Sequence, residues 1–220
     1  MAEILVINPN SSVSVTQSMQ ACLGPVENST KHVITCIGLA EGPPGIETDE
    51  HVAQVVPHLL ETVRRREANA YVLGCFSDPG IREVRRATSN PVVGIAEAAY
   101  LAALALGDRF GIVSLGPSSV ARHRRYLDDL GLAGRLAGDR SIDMTVTESM
   151  AGDIVEAVTG IGRTLRDADG ADVVILGCAG LGSYRETMEA RLGLPIVDPV
   201  QAGVLLACNR LDLRYHMRAA

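Results

Sequence analysis

The 220-residue chain has no tryptophan, two phenylalanines and only 3% aromatic residues, too few to build a stacking platform for nucleobases or sugar rings. Positive charge is not in excess. With 20 Lys and Arg against 26 Asp and Glu the net charge is −6, which argues against a nucleic-acid partner. No apolar run reaches the roughly 18 residues of a membrane span, and the most apolar stretch, AEAAYLAALALG, stops well short. The opening MAEILVINPN carries an acid and no basic leader, so no export signal is expected and the cytoplasm is the expected compartment. Spacings of the CxxC and HxxxH kind are missing too, and with them the expectation of structural zinc. The 5 cysteines are an odd number and are expected to be reduced thiols rather than a disulfide framework.

What is present is enough apolar material, 47% of residues, to fill a substantial core. Short β-branched runs alternate with longer helical patterns. EILVI, HVITCI, AYVLG, PVVGI, FGIVS, DVVILG and PIVD read as strands, several of them continuously apolar, as parallel strands covered on both faces are. Helices are expected over 13–23, 49–67, 95–106, 118–130, 149–167 and 184–192. The alternation defines an α/β chain with mainly parallel sheets.

One phrase occurs twice. YVLGCFSDPG holds Cys75, and about a hundred residues later VVILGCAGLG holds Cys178. ILVINPNSS resembles GIVSLGPSS, and PVVGIAEAA loosely matches PIVDPVQAG, in the same order and at nearly the same offset. Duplication of a half is the expected origin. The expected lobes are residues 1–97, together with 201–220 as a returning last helix, and residues 98–200. Two such lobes related by a pseudo-twofold axis would set the carboxyl ends of their sheets across a cleft, with Cys75 and Cys178 facing each other.

Each of these cysteines ends a strand ahead of a helix, where free N–H groups and partial positive charge are expected to draw the thiol pKa down. Gly74, Gly177 and Gly180 allow close backbone approach to a ligand, and the local amides offer an oxyanion site. None of the 5 histidines (His32, His51, His58, His123, His216) stands where it suggests a base partner for a nucleophile, and each reads as structural or exposed. The basic run ARHRRYLDD, with His123 in it, reads as a solvated helix face offset by Asp128 and Asp129. Cys22, Cys36 and Cys208 read as small buried hydrophobes. Two symmetric thiols suit racemisation, in which a base on one face of a carbon and an acid on the other exchange roles for the opposite enantiomer.

With these residues in view, the chain resembles the aspartate/glutamate/hydantoin racemase superfamily, within it the hydantoin and allantoin racemase branch. ILVINPNSS, GPPGIE, GCFSDPG, PVVGIAEAA and LGCAGL carry the resemblance, which covers almost the whole chain. It implies two similar α/β lobes with the site between them, no metal or other cofactor, and Cys75 and Cys178 as the acid/base pair. It places Asn8 on the site and gives Phe76, Ser77, Ala179 and Gly180 backbone amides for a substrate carbonyl or carboxylate. Glu47 and Glu97 match family positions and receive no role. The chain departs from the branch at Gly45, where a serine is usual, and in VSLGPSS, which lacks the branch's threonine-rich pattern. The implied activity is racemisation of 5-substituted hydantoins or allantoin, on a small-molecule substrate, by a homo-oligomer. The alternatives are maleate cis-trans isomerisation, amino-acid racemisation, an arylmalonate decarboxylase-like activity, which would keep only the second cysteine, and a non-catalytic small-molecule-binding module.

Overall fold

A computed structural model of the chain describes residues 1–215. His216 and the end of the expected returning segment lie outside the described residues. The first half runs β1 (Glu3–Asn8), α1 (Val13–Cys22), α2 (Gly24–Glu27), β2 (Val33–Gly38), α3 (Asp49–Arg65), β3 (Ala70–Leu73), α4 (Ile81–Ala87) and β4 (Val92–Gly94). Helix α5 (Ile95–Leu106) leads into β5 (Phe110–Ser114), α6 (Pro117–Asp129), β6 (Leu136–Ser141), α7 (Val146–Ser149) and α8 (Val155–Asp167). The chain continues with β7 (Val173–Leu176), a 3-10 segment at Ala179–Tyr184, α9 (Arg185–Leu192), β8 (Ile196–Val197) and α10 (Pro199–Asp212).

Two four-stranded parallel sheets result, ordered β2-β1-β3-β4 and β6-β5-β7-β8. The period of two in a strand sends alternate residues to opposite faces, and both faces are apolar here. In the first sheet Leu5, Ile7, Tyr71 and Leu73 turn to Val55, Leu59 and Val63 of α3, while Ile4, Val6 and Val72 turn the other way, into the central core. In the second, Phe110, Ile112, Val173 and Ile175 pack under Ala99, Tyr100 and Ala103 of α5, and Val113, Val174 and Leu176 join the central core. Helix α10 returns to the first sheet, where Arg210 donates to the carbonyl of Val92 at 3.3 Å.

Sequence pattern accounts for most boundaries. Thr48 caps α3 by accepting the N–H of His51 at 3.1 Å, with Asp49 and Glu50 in the first turn and Arg64 and Arg65 in the last, as the helix dipole favours. Two departures stand out. The helix expected over 149–167 is two helices, because a capping box between Thr145 and Glu148 starts α7 early and Asp153 takes the N–H of Val155 at 2.9 Å to open α8. Strand β6 has no counterpart among the expected strands: LAGDRS opens on Leu136 and Ala137 but is otherwise free of large apolar residues, half-buried except for the exposed Arg140, an edge strand with little apolar signal.

Candidate active site

In each sheet the central neighbours, β1 with β3 and β5 with β7, connect outward in opposite directions. That switch point opens a crevice beyond the strands' carboxyl ends. Gly74 donates its N–H to Ile7 at 2.8 Å and Gly177 donates to Val113 at 2.8 Å, so the two half-ladders end alike, one residue before each cysteine. A Cβ on Gly74 would come within 2.3 Å of Met19, and one on Gly177 within 2.7 Å of the Val113 carbonyl. At Gly177 the atom met is backbone of the neighbouring strand, so only glycine fits there, whereas at Gly74 it is the tip of the Met19 side chain packed over the strand end.

Cys75 and Cys178 open onto one cavity of about 450 Å³ between the two sheets. Phe76, Ser77 and Ala179 line it as well. Asn8 does not: it is fully buried, and its amide donates to Asn10 at 2.8 Å and Thr16 at 3.0 Å. Its neighbour Asn10 takes the place on the wall. Gly180 also stands behind the lining, with its N–H directed at Cys178 Sγ, 3.5 Å away. The N–H of Ser77 plays the matching part for Cys75. The N–H groups of Phe76 and Ala179 have no protein partner among the described residues.

Neither thiol is drawn down. Burial pushes Cys75 up, against the N–H and hydroxyl of Ser77 and the charge of Arg122, which favour thiolate. Burial likewise pushes Cys178 up to about 12, opposed by the Gly180 N–H and reinforced by charge on Cys75 and Glu47. The expected lowering fails because α4 starts at Ile81, behind a turn, and the 3-10 turn after Cys178 supplies a single N–H. Desolvation then outweighs the local dipoles. The remaining cysteines are set apart from this pair, with Cys22 and Cys208 buried in the core.

The basic run is not a solvated face throughout. Arg122 and His123 are buried and reach the cavity, whereas Arg124 and Arg125 stay exposed. Arg122 Nε donates to Ser77 Oγ at 2.8 Å. His123 Nδ1 lies 2.9 Å from Asp139 and 3.2 Å from Ser114. A signal for this existed: Arg122 and His123 precede Tyr126 and Leu127 by one helical turn, so an inward Leu127 carries them inward. Asp139, on the unexpected β6, gave none.

The two glutamates separate in role. Glu47 closes the cavity mouth, accepting the N–H of Val146 at 2.9 Å through Oε1 and the Ser118 hydroxyl at 2.5 Å through its carbonyl. Glu97 lies away from the lining and pairs with Arg85 at 2.6 Å and Tyr126 at 2.9 Å. Among the described residues no group of three or more His, Cys, Asp or Glu is placed to hold a metal ion. No described helix is long and apolar enough to cross a membrane.

Two parallel-sheet halves that bring one cysteine each to a shared cavity define a two-lobed α/β scaffold of the racemase type. Residues 4–207 match the family described as Asp/Glu/Hydantoin racemase, and the chain belongs to that family. It is 35% identical to a hydantoin racemase of Paenarthrobacter aurescens over 228 aligned positions, covering 99% of this chain and 94% of that one. An allantoin racemase structure from Klebsiella pneumoniae superposes with a TM-score of 0.89 at 28% identity, over 98% of this chain and 90% of that one. One from Pseudomonas fluorescens gives 0.88 at 25% identity, over 99% and 95%.

Proposed function

We propose that the protein is a cofactor-independent racemase of 5-substituted hydantoins or allantoin, working through Cys75 and Cys178. The observation that carries the reading is the pair of thiols on one cavity, each at the same point of a repeated half. The similarity to hydantoin and allantoin racemases supports the substrate class.

The substrate's stereogenic carbon lies between the sulfurs. One cysteine, as thiolate, takes the proton from this carbon, and the electron pair of the broken C–H bond moves into the adjacent carbonyl, giving an enolate. The free N–H groups of Phe76 and Ala179, each next in sequence to a cysteine, are the donors for that oxygen. The second cysteine, as thiol, delivers its proton to the opposite face, and the enolate collapses to the other enantiomer. The two sulfurs finish with roles exchanged, and proton transfer through water restores the starting state. Exclusion of water by the apolar walls Ile46, Leu115 and Val146 strengthens each of these hydrogen bonds.

The test is proton NMR in D₂O with each enantiomer of benzyl- and isopropylmethyl-substituted hydantoins and of allantoin, against enzyme-free controls. Loss of the α-proton together with optical rotation is the expected result. Absence of exchange above control for the whole panel, with conversion of maleate to fumarate by the same protein, would replace this reading by the isomerase one.

A further inference from the structure

His123 takes no part in the two-cysteine chemistry, yet its ring is held on the cavity wall by two buried partners. Its ring is 2% exposed. Nδ1 meets Asp139 Oδ2 at 2.9 Å and Ser114 Oγ at 3.2 Å, and the Ser114 hydroxyl lies 2.5 Å from the other oxygen of Asp139. The Asp139 side chain is itself 3% exposed. The single proton of Ser114 is used on Asp139, so Ser114 Oγ can only accept from the ring. Both contacts at Nδ1 therefore require the ring to carry its hydrogen there. The edge of Phe76, with ring centroids 4.9 Å apart at 87°, blocks rotation.

In the neutral ring, a hydrogen on Nδ1 leaves the lone pair on Nε2. This atom has no protein partner among the described residues and is not sealed off, so its one opening is to the cavity. The arrangement is a preorganised acceptor. The neighbouring free groups, the N–H of Phe76 and of Ala179, can only donate. Asn10 Oδ1 is occupied by Asn8 and Ser12, and Glu47 spends one oxygen on Val146.

We propose that His123, oriented by Asp139 and Ser114, is a specificity-determining residue whose Nε2 accepts a hydrogen bond from a ring N–H of the substrate, selecting cyclic ureides over carboxylates. The inference rests on the racemase reading above. A cyclic ureide presents N–H groups beside its carbonyls, which suits an acceptor on a wall that also carries the Phe76 and Ala179 donors. An ionised carboxylate presents only lone pairs, and Nε2 meets it with another. A site built to bond an N–H rejects the analogue that lacks it, because its own polar atom is left unpaired.

The experiment compares a 5-benzylhydantoin with its two N-methyl derivatives in wild type and in His123→Asn. An asparagine amide replaces Nδ1 and keeps a donor for Asp139, but has nothing at the position of Nε2. Wild type is expected to prefer the parent over one N-methyl derivative by roughly 10- to 100-fold in kcat/KM, and His123→Asn to lose most of that preference. In parallel, the ring nitrogens of ¹⁵N-labelled wild-type protein are followed as unsubstituted hydantoin is added. The Nε2 resonance is expected to be of the unprotonated type and to move upfield, and to stay in place with the disfavoured N-methyl compound. This measurement decides the matter even where the variant does not fold. A protonated or stationary Nε2, or an unchanged N-methyl preference in His123→Asn, overturns the role of His123 while exchange by wild type leaves the racemase reading standing. Loss of the preference in Glu47→Gln instead places the acceptor on the opposite wall and also overturns it. Absence of α-proton exchange by wild type overturns both.

Discussion

Behind Cys75 stand the Ser77 hydroxyl and, 2.8 Å from it, the Arg122 guanidinium. At the matching position after Cys178 stands Gly180, which brings only an N–H, and the nearby charge is that of Glu47. A cation favours thiolate and an anion opposes it; at Cys75 the Arg122 charge comes ahead of the opposing Asp78 charge, so under the proposed mechanism Cys75 is the readier base of the two. Arg122→Gln should slow alkylation of Cys75 by iodoacetamide at a fixed pH near 8 by roughly threefold to tenfold, since the pKa rises further. Alkylation of Cys178 should change little, which mass spectrometry of the labelled peptides reads directly. Equal slowing at both cysteines would refute the asymmetry. The pH dependence has a definite sign. With both thiols raised by burial, neither base is present at low pH, and racemisation should increase with pH through and beyond the ordinary thiol value. It should decline only where the second thiol also ionises, near the value of about 12 for Cys178.

At the scale of elements, the helices that leave β4 and β8 both begin on a buried aspartate, but from different sources. Asp198 is the N-cap of its own helix α10, accepting the N–H of Val200 at 2.7 Å. Asp78 reaches α5 from the turn after Cys75 and accepts the N–H groups of Ala96 at 3.0 Å and Glu97 at 2.9 Å, tying the Cys75 turn to the helix. Burial lifts the Asp78 carboxyl from 3.8 to about 7. Its folded pKa lies above its unfolded one, so its contribution to stability is complete below about pH 4 and declines as pH rises to about 7. Asp78→Asn should flatten that part of the urea-midpoint profile between those limits while lowering stability overall by about 1–2 kcal/mol through the weakened cap. An unchanged slope would assign the titration to another group.

Legibility in the sequence follows the same elements. The repeated Leu-Gly-Cys phrase could be read because each letter has a local cause: a buried strand, a close strand approach, a thiol at the strand end. Arg122 and His123 were misread because charge pattern along a chain does not say which helix face is buried. The packing of Tyr126 and Leu127 decides that. Asp139 could not be read at all, since an edge strand as polar as LAGDRS looks like a loop until β5 pairs with it.

For the molecule as a whole, the cavity exists because loops from both halves meet over it. Ser118 bonds the carbonyl of Glu47, Glu47 bonds Val146, and Arg125 reaches Asp49 at 2.6 Å. Gly45 sits at this seam, where a Cβ would come within 2.7 Å of Val146 and 2.9 Å of the Glu47 carboxylate. This chain's glycine and Val146 are thus fitted to each other. Gly45→Ser should displace the mouth loop and reduce kcat/KM by about tenfold or more, with little change in Tm because the sheets are untouched. A second change, Val146→Gly, which removes the Cβ lying 2.7 Å away, should restore part of the loss, and failure to do so would remove the steric account.

The most direct test of the two-thiol account is α-proton wash-out in D₂O by Cys75→Ser and Cys178→Ser, each with separate enantiomers of one hydantoin. Both variants should lose racemisation by about 10²- to 10⁴-fold. Each should retain slow exchange, without inversion, of one enantiomer only, and the favoured enantiomer should be opposite in the two variants. Racemisation at the wild-type rate by either variant, or wash-out of the same enantiomer by both, would contradict a base on each face of the substrate.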